Sequence, residues 1–121
     1  MRIGEFRHDQ AELTIYAARQ RGQLSVYIED ECGDRVADLS MYVPHLRLGR
    51  DEFVLNATLS REPRLVRDAF RTGYFEETGR VYGNGGATGQ PIWRLAGVIA
   101  RFPLADLGRY AAAEHRITSQ G

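Results

Sequence analysis

Three arginines recur at a spacing that places them on one face of an α-helix: Arg64, Arg67 and Arg71. At about 100° of rotation per residue, they fall within about 60° of one another. A guanidinium group makes paired hydrogen bonds to phosphates and carboxylates. This arginine stripe is therefore a candidate contact surface for nucleic acid or for an acidic protein. A solvated helix face has the same pattern, and both interpretations stay open.

Carboxylates cluster between two strand-like segments, in the sequence Glu29-Asp30-Glu31-Cys32-Gly33-Asp34. Glycine and aspartate in such a position are typical of a solvated hairpin tip. The four carboxylates also suit a different role, as a small patch that mimics phosphates and competes for a basic groove on a partner. They are Glu29, Asp30, Glu31 and Asp34.

Tyrosines alternate with aliphatic residues in the N-terminal half, so we expect three of them on one sheet face: Tyr16, Tyr27 and Tyr42. Tyrosine is enriched at protein interfaces, and an exposed row would favour a partner protein or a homodimer. The alternative is a second core face that a C-terminal helix covers.

Residues that commonly perform catalysis or bind metals are sparse. Cys32 is the only cysteine, and the histidines show no paired metal-ligand spacing, so we expect solvated histidines at positions 8, 45 and 115. Adjacent Glu76 and Glu77 would point to opposite faces of a strand and form no acid–base pair. The sequence thus predicts no catalytic residue and no metal site.

Glycines are frequent in one loop, at Gly83, Gly85, Gly86 and Gly89. A dinucleotide-binding loop runs into the N-terminus of a helix, whereas residues 91–95 here have the pattern of a strand. The spacing favours a hairpin loop, and no cofactor is predicted. A small-molecule site or an enzyme beside this loop is a third hypothesis, after the two given below.

One amphipathic helix must carry the arginine stripe, and the sequence places it at residues 61–72. Leu65, Val66, Ala69 and Phe70 form its apolar face. Pro63 suits a first turn, and Ser60 can cap the free N–H groups of that turn. Gly73 ends the helix, since glycine adopts the left-handed conformation without strain.

Period-two alternation predicts strands around this helix. Turns at Arg21-Gly22 and Cys32-Gly33 would pair Ile15 with Ile28 and Ile28 with Ala37. The second turn would also pair Val26 with Leu39 and Leu24 with Met41. Further strands are predicted at residues 52–57, 78–83 and 91–95, with Trp93 as a core anchor, Tyr74 and Phe75 folded onto the helix end, and the last strand continuing over 97–102. A second helix follows Pro103 and ends near Arg116.

These elements predict a single α+β domain over residues 1–121: a mostly antiparallel sheet with a three- to four-stranded N-terminal meander and a later hairpin, one central amphipathic helix and a C-terminal helix. Sixteen arginines and no lysine balance sixteen acidic residues, so no net charge draws the chain to nucleic acid or to a membrane surface. No apolar run is long enough to span a membrane, and we expect a cytoplasmic protein.

Five segments together resemble a family of small uncharacterised proteins from bacterial plasmids, integrative elements and phages. They lie within residues 24–96 and have the sequences ADLS (37–40), DEFVL (51–55), the predicted helix, FEETGR (75–80) and PIWRL (91–95). The resemblance implies an origin in a mobile genetic element and brings no catalytic residues with it.

The resemblance and the missing catalytic motifs favour one hypothesis over the others. It is a non-enzymatic binding protein that inhibits a host defence complex, of the anti-CRISPR or anti-restriction type, through contacts with a host protein or nucleoprotein complex. The alternative is a nucleic-acid-binding accessory or regulatory protein that uses the arginine stripe. Neutral net charge makes direct nucleic-acid binding the less favoured of the two.

Overall fold

The computed structural model describes residues 1–83 and 89–97 of the 121-residue chain. Within them, two four-stranded antiparallel sheets and one α-helix form the predicted α+β fold. The first sheet is a meander of β1 (Arg2–His8), β2 (Ala11–Gln20), β3 (Gln23–Glu29) and β4 (Arg35–Asp38). The second sheet has the order β5-β6-β8-β7, where the strands are β5 (Ser40–Met41), β6 (Glu52–Leu55), β7 (Phe75–Tyr82) and β8 (Gln90–Leu95).

Most of the predicted meander register is confirmed. Ile15 pairs with Ile28, and Ile28 pairs with Ala37. Arg21 and Gly22 both have positive φ, at 50° and 83°, as a tight two-residue hairpin turn requires. The alternation of apolar and polar residues therefore fixed which face of β2 and β3 is buried.

The predicted pairing of Leu24 with Met41 is wrong, because the chain leaves the first sheet just before that point. The Leu39 N–H still donates to the Val26 carbonyl at 2.8 Å. The Val26 N–H, however, donates to the Ser40 hydroxyl at 2.8 Å. The side chain replaces the backbone acceptor that would have continued the ladder, and β5 pairs with β6 in the second sheet instead.

The strand β1 was not among the elements predicted from the sequence. Phe6 in this strand is buried, and β1 forms one edge of the first sheet beside β2. The turn between them contains no glycine: Asp9 and Gln10 adopt positive φ values of 48° and 68°. Turns of this geometry normally carry glycine or asparagine, so the usual hairpin signal was missing.

The predicted helix over 61–72 is shorter than expected, and a separate 3₁₀ helix precedes it. A 3₁₀ helix spans Ala57–Arg61, and α1 spans Pro63–Phe70. The residue before a proline disfavours the helical conformation, and Glu62 adopts φ −128° and ψ 56°. Asn56 caps the 3₁₀ helix by accepting from the Thr58 N–H at 3.1 Å. Ser60 lies inside that helix, so its predicted role as a cap is wrong.

Gly73 has the predicted positive φ, at 82°, and the chain then turns into β7. Phe75 opens this strand and is buried in the core, while the Tyr74 hydroxyl donates to the Glu5 carbonyl on β1 at 3.3 Å. Tyr74 also lines a surface pocket at the end of α1, together with Asp68, Arg71 and Thr72. The strand β7 is longer than predicted, since it begins at Phe75.

The main core lies between the two sheets and α1. Its centre is an aromatic cluster of Phe53, Phe70, Phe75 and Trp93, with ring centroids 4.9–6.1 Å apart. Trp93 is 3% exposed, which confirms it as a core anchor. A smaller cluster on the other face of the second sheet contains Val43, Val54 and Ile92.

The described residues contain no helix with the length and apolar character of a membrane span. The predicted C-terminal helix and most of the predicted 97–102 strand continuation lie outside the described residues.

Candidate functional site

The arginine stripe lies on α1, but carboxylates already accompany it. Arg64 forms an ion pair with Asp9, with a nitrogen–oxygen distance of 2.5 Å. Arg67 lies 3.7 Å from Asp68, which is longer than a hydrogen bond. Arg71 is exposed at the end of the helix. The stripe is therefore less positive than three arginines alone would make it.

His8 is not the solvated side chain that the sequence predicted. Its ring Nδ1 lies 2.7 Å from an Asp68 carboxylate oxygen, and its Nε2 lies 3.4 Å from Asp9. The hydrogen bond with His8 lowers the pKa of Asp68, and the positive charges of His8, Arg67 and Arg71 act in the same direction. This arrangement ties β1 to α1.

His45 is not part of this arrangement. His45 lies in an exposed loop, as predicted, and has a positive φ of 65°. His115 lies outside the described residues. In the described ranges, no three His, Cys, Asp or Glu side chains come close enough together to hold a metal ion.

The acidic turn contains a residue that shapes it. One Asp30 carboxylate oxygen accepts from the Cys32 N–H at 2.9 Å and from the Asp34 N–H at 3.0 Å. Glu29 is half-buried within β3, away from the tip. Of the four carboxylates in the predicted acidic patch, Glu31 and Asp34 are the exposed ones. They make a smaller acidic patch than the four-residue one that the sequence suggested.

Tyr16 and Tyr27 face each other as predicted, with stacked rings 5.5 Å apart. Tyr27 is only 6% exposed, and the Arg35 guanidinium lies 4.0 Å from its ring centre. Tyr42 is 38% exposed and has Arg21 beside its ring. The three tyrosines therefore do not form one continuous exposed row, because the middle one is buried.

The glycine loop is flanked by strands, as expected, since β7 ends just before Gly83 and β8 begins just after Gly89. Residues 84–88 between them lie outside the described part of the chain. Glu76 is engaged by Arg94 of β8 at 3.2 Å and is directed away from Glu77. These two glutamates thus lie on different faces of β7, in agreement with the prediction.

A groove that the sequence reasoning missed lies between α1 and the second sheet. It has a volume of about 490 Å³, and within residues 1–83 and 89–97 no side chain closes it off from solvent. Its apolar lining comes from four parts of the chain: β6, which contributes Leu55, the 3₁₀ helix, α1 and β8. The main apolar residues are Leu59, Pro63, Val66, Phe70, Pro91 and Trp93. We call this feature the α1 groove.

The α1 groove contains one unusual polar atom. The Trp93 indole nitrogen is buried and has no hydrogen-bond acceptor among the described residues. A buried donor without a partner costs about 1–3 kcal/mol. Phe70, which also lines the groove, lies against Trp93 with ring centroids 4.9 Å apart. The aromatic wall of the groove thus contains a buried N–H donor that lacks an acceptor among the described residues, which lowers the stability of the fold.

Charged residues border this apolar surface on both sides. Arg67 of α1 and Glu77 of β7 both line the groove and are both exposed. Glu77 pairs with Trp93 across the sheet, so the two side chains share one face. An apolar floor with a polar rim is the general anatomy of a protein interface.

A second cleft, of about 320 Å³, lies where the chain passes from the first sheet to the second. It is polar, and its side chains bond to one another or to the backbone. Gln23 donates to the Val43 carbonyl at 2.7 Å, and Arg35 donates to Asp38 at 3.0 Å. These internal bonds leave the cleft less suited to a ligand than the α1 groove.

No family model matches the chain, and no curated protein and no solved structure is significantly similar to it. The site is therefore interpreted from its own geometry.

Proposed function

We propose that this protein is a non-enzymatic binding protein that holds a host protein or nucleoprotein complex in the α1 groove. The single observation that carries this proposal is the groove itself. It brings half-buried Val66 and Phe70 of α1 beside half-buried Pro91 of β8, and the buried Trp93 lies beneath them. Exposed apolar surface with a polar rim marks interaction sites in folded proteins.

The groove is a better candidate contact surface than those that the sequence suggested, because side chains of the other surfaces already have contacts within the protein. Arg64 is committed to Asp9, Asp30 to its own turn, and Tyr27 to the interior of its sheet face. Apolar contact contributes about 25 cal/mol per Å² buried, whereas an exposed ion pair contributes about 0–1 kcal/mol. Binding energy is therefore concentrated in the groove, and the charged groups around it provide specificity.

The partner follows from the resemblance to small proteins of mobile genetic elements. Such an element gains from blocking a defence complex of its bacterial host, so the proposed activity is inhibition of the anti-CRISPR or anti-restriction type, in the cytoplasm. The analogy concerns the class of protein, since a fold does not by itself define a function.

A pair of matched variants tests this function. Val66→Glu places a charge in the groove, whereas Val36→Glu places the same charge on β4, where Val36 is already 48% exposed. We expect the wild type and V36E to capture the same host complex from bacterial lysate and to protect invading DNA in interference and restriction assays. V66E should lose both properties.

Thermal unfolding of each variant separates loss of binding from loss of folding. Absence of any stable partner and of any protection of invading DNA by the wild type would contradict the proposed function. Equal behaviour of folded V66E and V36E would remove the groove from it.

A further inference from the structure

The α1 groove also restricts the kind of partner that can enter it, provided that the proposed function holds. Its floor is the face of the second sheet beside α1, and its central strand is β8. Both edges of β8 are already paired, to β6 on one side and to β7 on the other. A partner strand therefore cannot add to β8 through backbone hydrogen bonds, since this requires an open edge. The occupant must bind through its side chains.

The position of α1 shows which shape fits. With eight residues, α1 is about 12 Å long, and it leaves the groove beside it open to solvent. Helices pack side by side at about 8–10 Å. A second helix laid parallel or antiparallel to α1 would contact Val66 and Phe70 on one side and Pro91 on the sheet, and these residues line the groove together.

The rim adds a constraint of charge. On the α1 side, Arg67 is 53% exposed and only loosely placed against Asp68 at 3.7 Å, so its guanidinium is available to a partner. On the sheet side, the exposed charge is the carboxylate of Glu77. Arg67 attracts an acidic flank of an incoming helix and repels a basic flank, whereas Glu77 attracts a basic flank and repels an acidic one.

We propose that the α1 groove binds an amphipathic α-helix of the partner protein, with acidic side chains along the flank that faces α1 and basic side chains along the flank that faces β7. The apolar face of this helix lies on Val66, Phe70 and the Trp93 side of the sheet. A helix with one acidic and one basic flank matches Arg67 and Glu77 in only one direction along the groove, and a helix with those two flanks exchanged matches them in the opposite direction. Mixed flanks are therefore the recognised feature.

Three synthetic peptides and four proteins test this proposal. The peptides are about 15 residues long, enough for a helix to form on binding, contain no tryptophan and share one leucine face. Their flanks are mixed, all acidic or all basic. The proteins are the wild type, Arg67→Glu, Glu77→Arg and the double variant R67E/E77R. Binding is followed by the emission of Trp93, the only tryptophan, at low salt.

We expect the wild type to prefer the mixed peptide, R67E to prefer the all-basic peptide and E77R to prefer the all-acidic peptide. Each preference should be roughly three- to tenfold, the scale of one or two exposed charge contacts at low salt. The double variant should prefer the mixed peptide again. That recovery cannot come from a damaged fold, and V66E should bind none of the peptides.

Equal binding of all three peptides to every protein would overturn the charge pattern, and failure of every peptide to bind the wild type would overturn the helix. Concentration-dependent dimerisation that V66E abolishes would assign the groove to a second copy of the chain and also overturn the proposal. In each case, capture of the host complex by the wild type but not by V66E would leave the proposed function standing.

Discussion

Asp68 and Asp9 each lie beside two basic side chains near the helix. Asp68 accepts from His8 at 2.7 Å and lies beside Arg67, while Asp9 reaches both His8 and Arg64. Carboxylates and cations thus alternate from the β1–β2 turn to the end of α1. Arg64 is the arginine of the stripe that reaches the β1–β2 turn in this network, and the bond between His8 and Asp68 joins β1 to α1.

Acid is expected to destabilise the protein through Asp68. Because its pKa is lowered in the folded state by the hydrogen bond with His8, its contribution is complete above the unfolded-state value of about 3.9. The contribution is lost as the pH falls from that value through the folded-state pKa. We expect Asp68→Asn to flatten the decrease in unfolding free energy below about pH 4, measured by urea unfolding.

Glu52 provides a comparison for this measurement. A hydrogen bond from Arg80 lowers its pKa, and the Gly49 N–H also donates to it. Glu52→Gln should therefore reduce the acid dependence in the same direction, and the two variants together should reduce it further. An Asp68→Asn variant with the same pH profile as the wild type would contradict the role given to His8.

Elements built by alternation were predictable from the sequence, and elements that depend on one side chain were not. The register of β2 and β3 follows from Ile15 and Ile28 facing one side. The transfer of the chain to the second sheet depends on the Ser40 hydroxyl taking the Val26 N–H, which no local pattern shows. The 3₁₀ helix ends at Arg61 because Glu62, the residue before Pro63, does not adopt a helical conformation. The effect of a proline on the preceding residue is visible in the sequence, although the prediction of one helix over 61–72 did not include it.

Asn56, which caps the 3₁₀ helix, and Ser60, the predicted cap of the helix over 61–72, give a direct test at this scale. Asn56 accepts from the Thr58 N–H and also donates to the Asp38 carbonyl at 3.0 Å, whereas Ser60 is exposed within the helix. We expect Asn56→Ala to cost about 1 kcal/mol of stability and Ser60→Ala to stay within about 0.5 kcal/mol. The reverse order in urea unfolding would show that the helix begins where the sequence suggested.

The α1 groove depends on the tertiary packing of the whole molecule, and no local sequence pattern predicted it. Leu59, Phe70 and Trp93 line it together although they are far apart in the chain. Sequence patterns identified Phe70 and Trp93 as apolar, but each was assigned to the core. Only the packing of α1 on part of the second sheet leaves their outer edges in an open groove.

Charge balance over the whole molecule argues against nucleic-acid binding. Arginines and acidic residues are equal in number, and Arg64 is paired with Asp9. We expect affinity for duplex DNA to be weaker than the roughly 10⁻⁴–10⁻⁶ M of ordinary non-specific binding, measured by fluorescence anisotropy at about 50 mM salt.

A salt dependence with a logarithmic slope near −3 would contradict this expectation, because about three phosphate contacts produce such a slope. If the triple variant R64Q/R67Q/R71Q abolished that slope, the contacts would belong to the arginine stripe. The accessory or regulatory alternative would then replace the proposed function.

The two sheets differ in the sequence separation between their paired strands. Each strand of the first sheet pairs with its neighbour in sequence, but β6 pairs with β8 only after the 3₁₀ helix, α1 and β7 have been passed. Closing that longer loop costs more entropy and slows folding. Pulse-labelled hydrogen exchange should therefore protect the amide of Tyr27, which pairs with Tyr16 in the first sheet, before the Trp93 amide, and simultaneous protection would contradict this order. The α1 groove then forms last, so a partner that bound there would find its site only after both sheets have closed.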